Sequence, residues 1–188
     1  MTISSLKALA GLGLGLLVAA CASGSNVAEQ RASVQQMRAE TLAKLHKFEP
    51  AGHGQIRKAA GYAVFSNVGV NLVLLSAGGG HGVVRDNATG RDTYMNMASA
   101  GVGLGLGVKD FRGVFIFTDR KAMEWFVQRG WDGSAQADAA AKAGPKGGAW
   151  AGAVDVAPGI KLYQMTESGL ALQATIQGTK YWKDGELN

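Results

Sequence analysis

Between Gly101 and Val108 the chain alternates glycine with an aliphatic residue without a break. The period is two, that of a strand. In a strand, alternate residues share a face. Gly101, Gly103, Gly105 and Gly107 therefore line one side, and Val102, Leu104, Leu106 and Val108 the other. A face of bare backbone carries an entropic cost, so something is expected to pack close to it: a helix, another strand at a barrel corner, or a ligand chain. A nucleotide loop does not fit. The glycines have period two, no helix start follows them, and no Lys-Ser or Lys-Thr pair is present.

The surrounding sequence places this strand in a mixed fold. From Val27 to Phe48, apolar positions at Val34, Met37, Leu45 and Phe48, with Thr41, recur every three or four residues, while Glu29, Arg31, Arg38, Glu40 and Lys44 occupy the other side. This predicts an amphipathic helix, stopped by Pro50 and Gly52. A short second helix is predicted over 54–60, closed by Gly61 as its cap. Beyond it the period becomes two. Strands are predicted at 62–65, 70–75, 82–85, 92–98, 101–108 and 114–117, with turns at Gly78-Gly79-Gly80 and at 86–90. Thr118 or Asp119 opens a helix with Ala122, Met123, Phe126 and Val127 on one face, ended by Gly130. Residues 131–148 read as a long loop, followed by strands at 150–156, 160–165 and 170–176 with a turn at 167–169. The fold class is α+β: a curved antiparallel sheet or partly closed β-barrel, with an N-terminal amphipathic helix and one helix inserted between strands. Closure removes sheet edges that would otherwise invite aggregation.

The N-terminus reads as an address. Lys7, the apolar run Ala8 to Val18, and Ala19-Ala20-Cys21 have the three parts of a lipoprotein signal peptide spanning 1–20, with Cys21 the lipidated first residue of the mature chain. The apolar run is too short to cross a bilayer, which takes about 20 residues. Residues 21–26 form a tether, and 27–188 one domain. Ala22 stands where an inner-membrane retention signal would place Asp. The expected location is the outer membrane of a bacterial envelope.

Cys21 is the single cysteine, so disulfides, thiol nucleophiles and cysteine metal sites are excluded from the folded part. The three histidines, His46, His53 and His81, have no metal-pair spacing, and no carboxylate pair or Ser, His and Asp group is assembled by sequence alone. No metal and no cofactor is expected, and the expected activity is non-catalytic; an enzyme using His81 beside the glycine cluster is the minor alternative. The net charge of +5 is spread along the chain, which favours anionic lipid over nucleic acid.

Lys58-Ala59-Ala60-Gly61-Tyr62-Ala63-Val64-Phe65, the glycine strand, Val114 to Ala122, Ala143-Gly144-Pro145, and Glu167-Ser168-Gly169-Leu170 followed by Gly178 resemble, in order and spacing, the SYLF (Ysc84) domain in its bacterial lipoprotein form, from about 55 to 181. The resemblance implies a compact, non-catalytic lipid-binding domain. Phosphoinositides and actin-linked traffic belong to eukaryotic members. This chain has Cys21 where those carry basic amphipathic sequence, so the expectation narrows to anionic phospholipid or phosphoinositide-like headgroups. Lys44, Lys47, Arg57 and Lys58 are the candidate headgroup contacts; the competing reading is a solvated helix face. The alternative function is a structural or interaction protein that binds another envelope protein, with lipid involved only through Cys21.

Overall fold

The computed structural model describes residues 26–133, 153–166, 169–170 and 178–188. Helix α1 (Val27–Phe48) begins at Asn26, whose side chain accepts from the Glu29 amide, and buries Val34, Met37, Thr41 and Leu45. The stripe read from sequence is therefore the packed one, except at its end. Phe48 is 40% exposed. Pro50 does not merely stop α1 but opens α2 (Pro50–Lys58), as proline does at a first helical turn, where its missing N–H has no partner to lose.

In place of six separate strands there are two, each of 26 residues: β1 (Gly61–Asp86) and β2 (Asp92–Phe117), antiparallel and joined by the expected turn. Gly78-Gly79-Gly80 is not a turn. It lies within β1, opposite Ser99, Ala98 and Met97, and none of the three has positive φ. Its glycines have a different cause. A methyl group on Gly80 would overlap the Ser66 carbonyl oxygen, and one on Gly82 would overlap the Val64 carbonyl and the Phe65 ring. Gly61, expected as a helix cap, is likewise the first residue of β1, where a methyl would strike the Arg85 carbonyl and Met123. α2 is closed instead by extended Ala59. The two arms of β1 thus meet backbone against backbone, and the long hairpin curls over on itself.

The remaining elements attach to the two halves of β2. α3 (Arg120–Arg129) is capped by Asp119, which accepts from the Lys121 amide, and ends at Gly130, whose φ of 73° suits only glycine well. β3 (Trp131–Asp132) begins where a loop was expected. Then come β4 (Ala153–Ala157), β5 (Ile160–Thr166), β6 (Gly169–Leu170) and β7 (Thr179–Lys183). The first half of β2 pairs with β7 through Met95–Ser99, and the second half with β5 through Arg112–Phe117. The sheet order is β3-β7-β2-β5-β4, with β1 along β2 and β6 on β5. The architecture is α+β, with a curved, partly closed antiparallel sheet and its helices before and between strands.

Period-two alternation gives this sheet two apolar faces. Phe115 and Phe117 join Ala63, Phe65, Met95, Phe126, Trp131 and Tyr181 in one buried cluster. Their neighbours Val114 and Ile116 join Val64, Val83, Tyr163 and the α1 residues Val34, Met37 and Leu45 in another. Phe126 of α3 packs in the first cluster, with ring centroids 5.1 Å from Phe117 and 5.4 Å from Phe115. Such aromatic pairs add about 0.5–1.5 kcal/mol each beyond the area they bury.

The backbone of Gly101 to Gly107 is in β2, paired with β1. The ladder is not regular there. Val73 pairs with Gly105 but Leu75 with Val102, so two residues of β2 stand opposite one of β1, a bulge that interrupts the strict alternation and increases local bending. What covers this strand's faces lies outside the described side chains, as do the elements expected over 134–152 and 171–177.

Two neighbouring glycines test the crossing. Gly80→Ala is expected to lower stability by about 3 kcal/mol, because the obstacle is a carbonyl that cannot move aside. Gly79→Ala has open space within 4 Å and should be neutral or stabilising by about 0.5 kcal/mol. Urea unfolding midpoints at equal m-value compare them, and similar losses for both would rule out the close approach.

Candidate functional site

Among the described residues, two surface depressions that gather charged side chains flank different parts of α1. The first is formed where α2 folds back on the end of α1. It encloses about 260 Å³ between Leu42, Leu45, Ile56 and Tyr62, with His46, His53 and Arg57 at its rim. His46 and His53 meet edge to face, with ring centroids 5.5 Å apart. No sequence pattern marks that pairing, because the seven-residue gap spans the helix break at Glu49 and closes only through its geometry. Asn87, in the β1–β2 turn, fixes the corner to the sheet by donating to the carbonyls of Ile56 at 2.7 Å and Ala59 at 3.0 Å.

The four candidate headgroup residues surround this corner. Lys44 is half-buried on α1, and Lys47, Arg57 and Lys58 are exposed in the last turns of α1 and α2. Arg57 alone lines the depression. Among the described residues none of the four takes part in an ion pair. Elsewhere Arg38, Arg85, Arg112, Arg120, Lys161 and Lys180 are each paired with a carboxylate, whereas Arg31, Arg91, Lys121, Arg129 and Lys183 take part in none of these pairs. Cys21 lies outside the described residues. His81 is exposed on β1 and lines neither depression.

The second depression is larger, about 540 Å³, and was not foreseen from sequence. Its parts come from the start of α1, the β1–β2 turn, α3 and the segment after β7, so no local pattern could have announced it. The turn supplies its organising groups. Asp86 is buried, and its Oδ1 accepts from the amides of Ala88 at 2.9 Å and Thr89 at 3.3 Å, an Asx turn. Its Oδ2 takes the Arg120 guanidinium at 3.0 Å. Burial disfavours the charged form, but the Arg120 hydrogen bond and those from Thr89 and the turn amides outweigh it and hold the Asp86 carboxyl down to about 2. Arg120 also reaches Glu124 at 3.0 Å, one helical turn on. Asp92, across the turn, is shared by Arg38 at 3.0 Å and Arg85 at 3.1 Å and accepts from Gln35.

Among the described residues no three His, Cys, Asp or Glu side chains stand together as metal ligands, and no helix is long and apolar enough to cross a membrane.

The class these features define is an α+β protein with a curled sheet, a basic helical corner and a polar cleft at its hairpin turn. No family model matches the sequence. It is 34% identical, over 159 residues, to Beta cell expansion factor A of Aeromonas veronii. The match covers 85% of this chain and 59% of that protein, so the chain spans well under two thirds of its relative.

The Asp86 pair predicts a pH signature. Asp86→Asn keeps an acceptor for the turn amides but removes the charge facing Arg120, so it should lower the unfolding midpoint at neutral pH. A depressed carboxyl stabilises the fold fully above its unfolded value of about 3.9 and loses that contribution as pH falls through about 2. The wild-type advantage over the variant should therefore be constant above about pH 4 and shrink below it. Denaturant midpoints measured across that range check this; an advantage unchanged at pH 2 would contradict it.

Proposed function

We propose that the chain is a lipid-anchored envelope lipoprotein whose SYLF-like domain binds anionic lipid without catalysis, and that the α1–α2 corner makes the contact. The observation that carries the reading is the cluster of Lys44, Lys47, Arg57 and Lys58, free of carboxylate partners, beside the exposed Phe48 ring. A basic side chain held near an anionic leaflet contributes about 1 kcal/mol, so four acting together favour binding by roughly a thousandfold. Phe48 adds an apolar group able to enter the headgroup boundary.

The anchor constrains the pose. α1 has 22 residues, about 33 Å, with Cys21 ahead of its start and the basic corner at its end. For both to reach one leaflet, α1 must lie along the surface. Acyl chains at Cys21 would already supply attachment, so the corner serves lipid selection or orientation of the domain. The SYLF resemblance and the outer-membrane address belong to this proposal. The alternative, binding to another envelope protein, is favoured by Trp125 and Trp182, which are 43% and 44% exposed on the contacting elements α3 and β7. Exposed tryptophans are enriched where partners dock.

Flotation with vesicles tests the leading reading, using protein from residue 21 onward with Cys21→Ser so that no acyl group contributes. Binding to vesicles containing phosphatidylglycerol should exceed binding to neutral phosphatidylcholine by at least about tenfold and weaken with salt. Replacing Lys44, Lys47, Arg57 and Lys58 together by Gln should abolish the difference. Equal binding to both vesicles, or no loss on replacement, would overturn it.

A further inference from the structure

We propose that the 540 Å³ cleft at the β1–β2 turn is a second, separate binding site, which takes the phosphate group of a small ligand. The charge pattern carries this. The cleft contains three acidic side chains, Asp86, Asp92 and Glu124, and each already has an arginine: Arg120 serves Asp86 and Glu124, while Arg38 and Arg85 serve Asp92. Three further cations line it, Arg31, Arg91 and Lys183, and among the described residues none of these is paired with a carboxylate.

Arg31 is held in place without being neutralised. Its Nε donates to the Leu187 carbonyl at 2.9 Å, and its guanidinium lies 5.8 Å from the centre of the Tyr94 ring. Its terminal nitrogens remain for a ligand. Arg91 sits on the turn that Asp86 and Gly90 fix, and Lys183 at the end of β7. Three cations delivered from α1, the hairpin turn and β7 suit a group with several anionic oxygens, and guanidinium binds phosphate with paired donors. The volume lies within the range typical of small-molecule sites, roughly 300–1,000 Å³. Val84, Met123 and Leu187 give the cleft a buried apolar wall, so the ligand is either a free phosphate compound or the headgroup of a lipid whose first methylenes lie on that wall.

The site is independent of the basic corner. Arg31 and Lys47 are sixteen residues apart on one helix, about 24 Å along its axis.

Titration calorimetry on the full chain carrying Cys21→Ser, with inorganic phosphate and with dihexanoyl phosphatidic acid below its micelle concentration, tests the proposal. At least one probe should bind saturably, and Arg91→Gln and Lys183→Gln should each weaken it about tenfold, as expected for one charged hydrogen bond. Unfolding midpoints should stay unchanged, because neither side chain is paired in the fold. Phosphatidic acid binding at least about tenfold tighter than phosphate would identify a lipid headgroup; equal affinities would identify a free phosphate compound. No saturable binding of either probe, or full affinity in the Arg91→Gln, Lys183→Gln double variant, would overturn the site. Loss of phosphate binding in the Lys44, Lys47, Arg57, Lys58 variant would also overturn it, while leaving the corner's own role intact.

Discussion

The structure depends on backbone touching backbone where the two arms of β1 cross. Gly61 against Arg85, Gly82 against Val64 and Gly80 against Ser66 each bring a main chain into space that any Cβ would fill. Strands of 26 residues are several times longer than the usual five or six, and a flat hairpin of that length would expose both faces and two long edges. Curling converts it into a partly closed sheet with an inside and an outside. The entropic cost of glycine in a strand is accepted because the crossing allows both halves of β2 to share one core.

That closure decides where everything else can attach. With the halves of β2 curled over one another, β7 pairs with one and β5 with the other, and α3 lays Phe126 among rings contributed by both arms of the hairpin. α1 covers the opposite face, against Val64, Val83, Val114 and Ile116. A strand such as Val114 to Phe117, apolar at every position, is the expected result of burial on both sides.

The electrostatics follow from the same geometry. The β1–β2 turn is carried back toward α1 and α3, where Asp86 and Asp92 each collect arginine from a different element: Asp86 from α3, Asp92 from α1 and from β1 itself. These pairs hold the turn in place, and their side effect is a surplus of unpaired cations around the cleft. The helical corner has a surplus of its own: Lys44, Lys47, Arg57 and Lys58 stand around one carboxylate, Glu49 at the α1–α2 junction, while Glu29 is at the helix start and Glu40 is engaged by Arg112 at 3.3 Å.

Sequence alone determined the local elements whose causes are local. α1 from Val27 to Phe48, the Asp119 and Gly130 ends of α3, the turn at 86–90 and the α+β class are written in periodicity, caps and turn residues, which act over a few positions. The candidate lysines and Arg57 were legible as charges on helix faces. Tertiary structure decided what those signals left open. Gly78-Gly79-Gly80 looks like a turn because a turn and a close approach ask for the same residue, and only the position of Ser66 distinguishes them. Phe48 fits the helical period yet is left 40% exposed, because α2 folds back on α1 over Leu42 and Leu45. β7, with Lys180, Trp182 and Lys183 facing outward, has too few apolar residues to announce itself. The cleft at the hairpin turn joins Arg31, Asp86, Arg120 and Lys183, which are far apart in sequence, and no pattern of short range records that a folded ribbon brings them together.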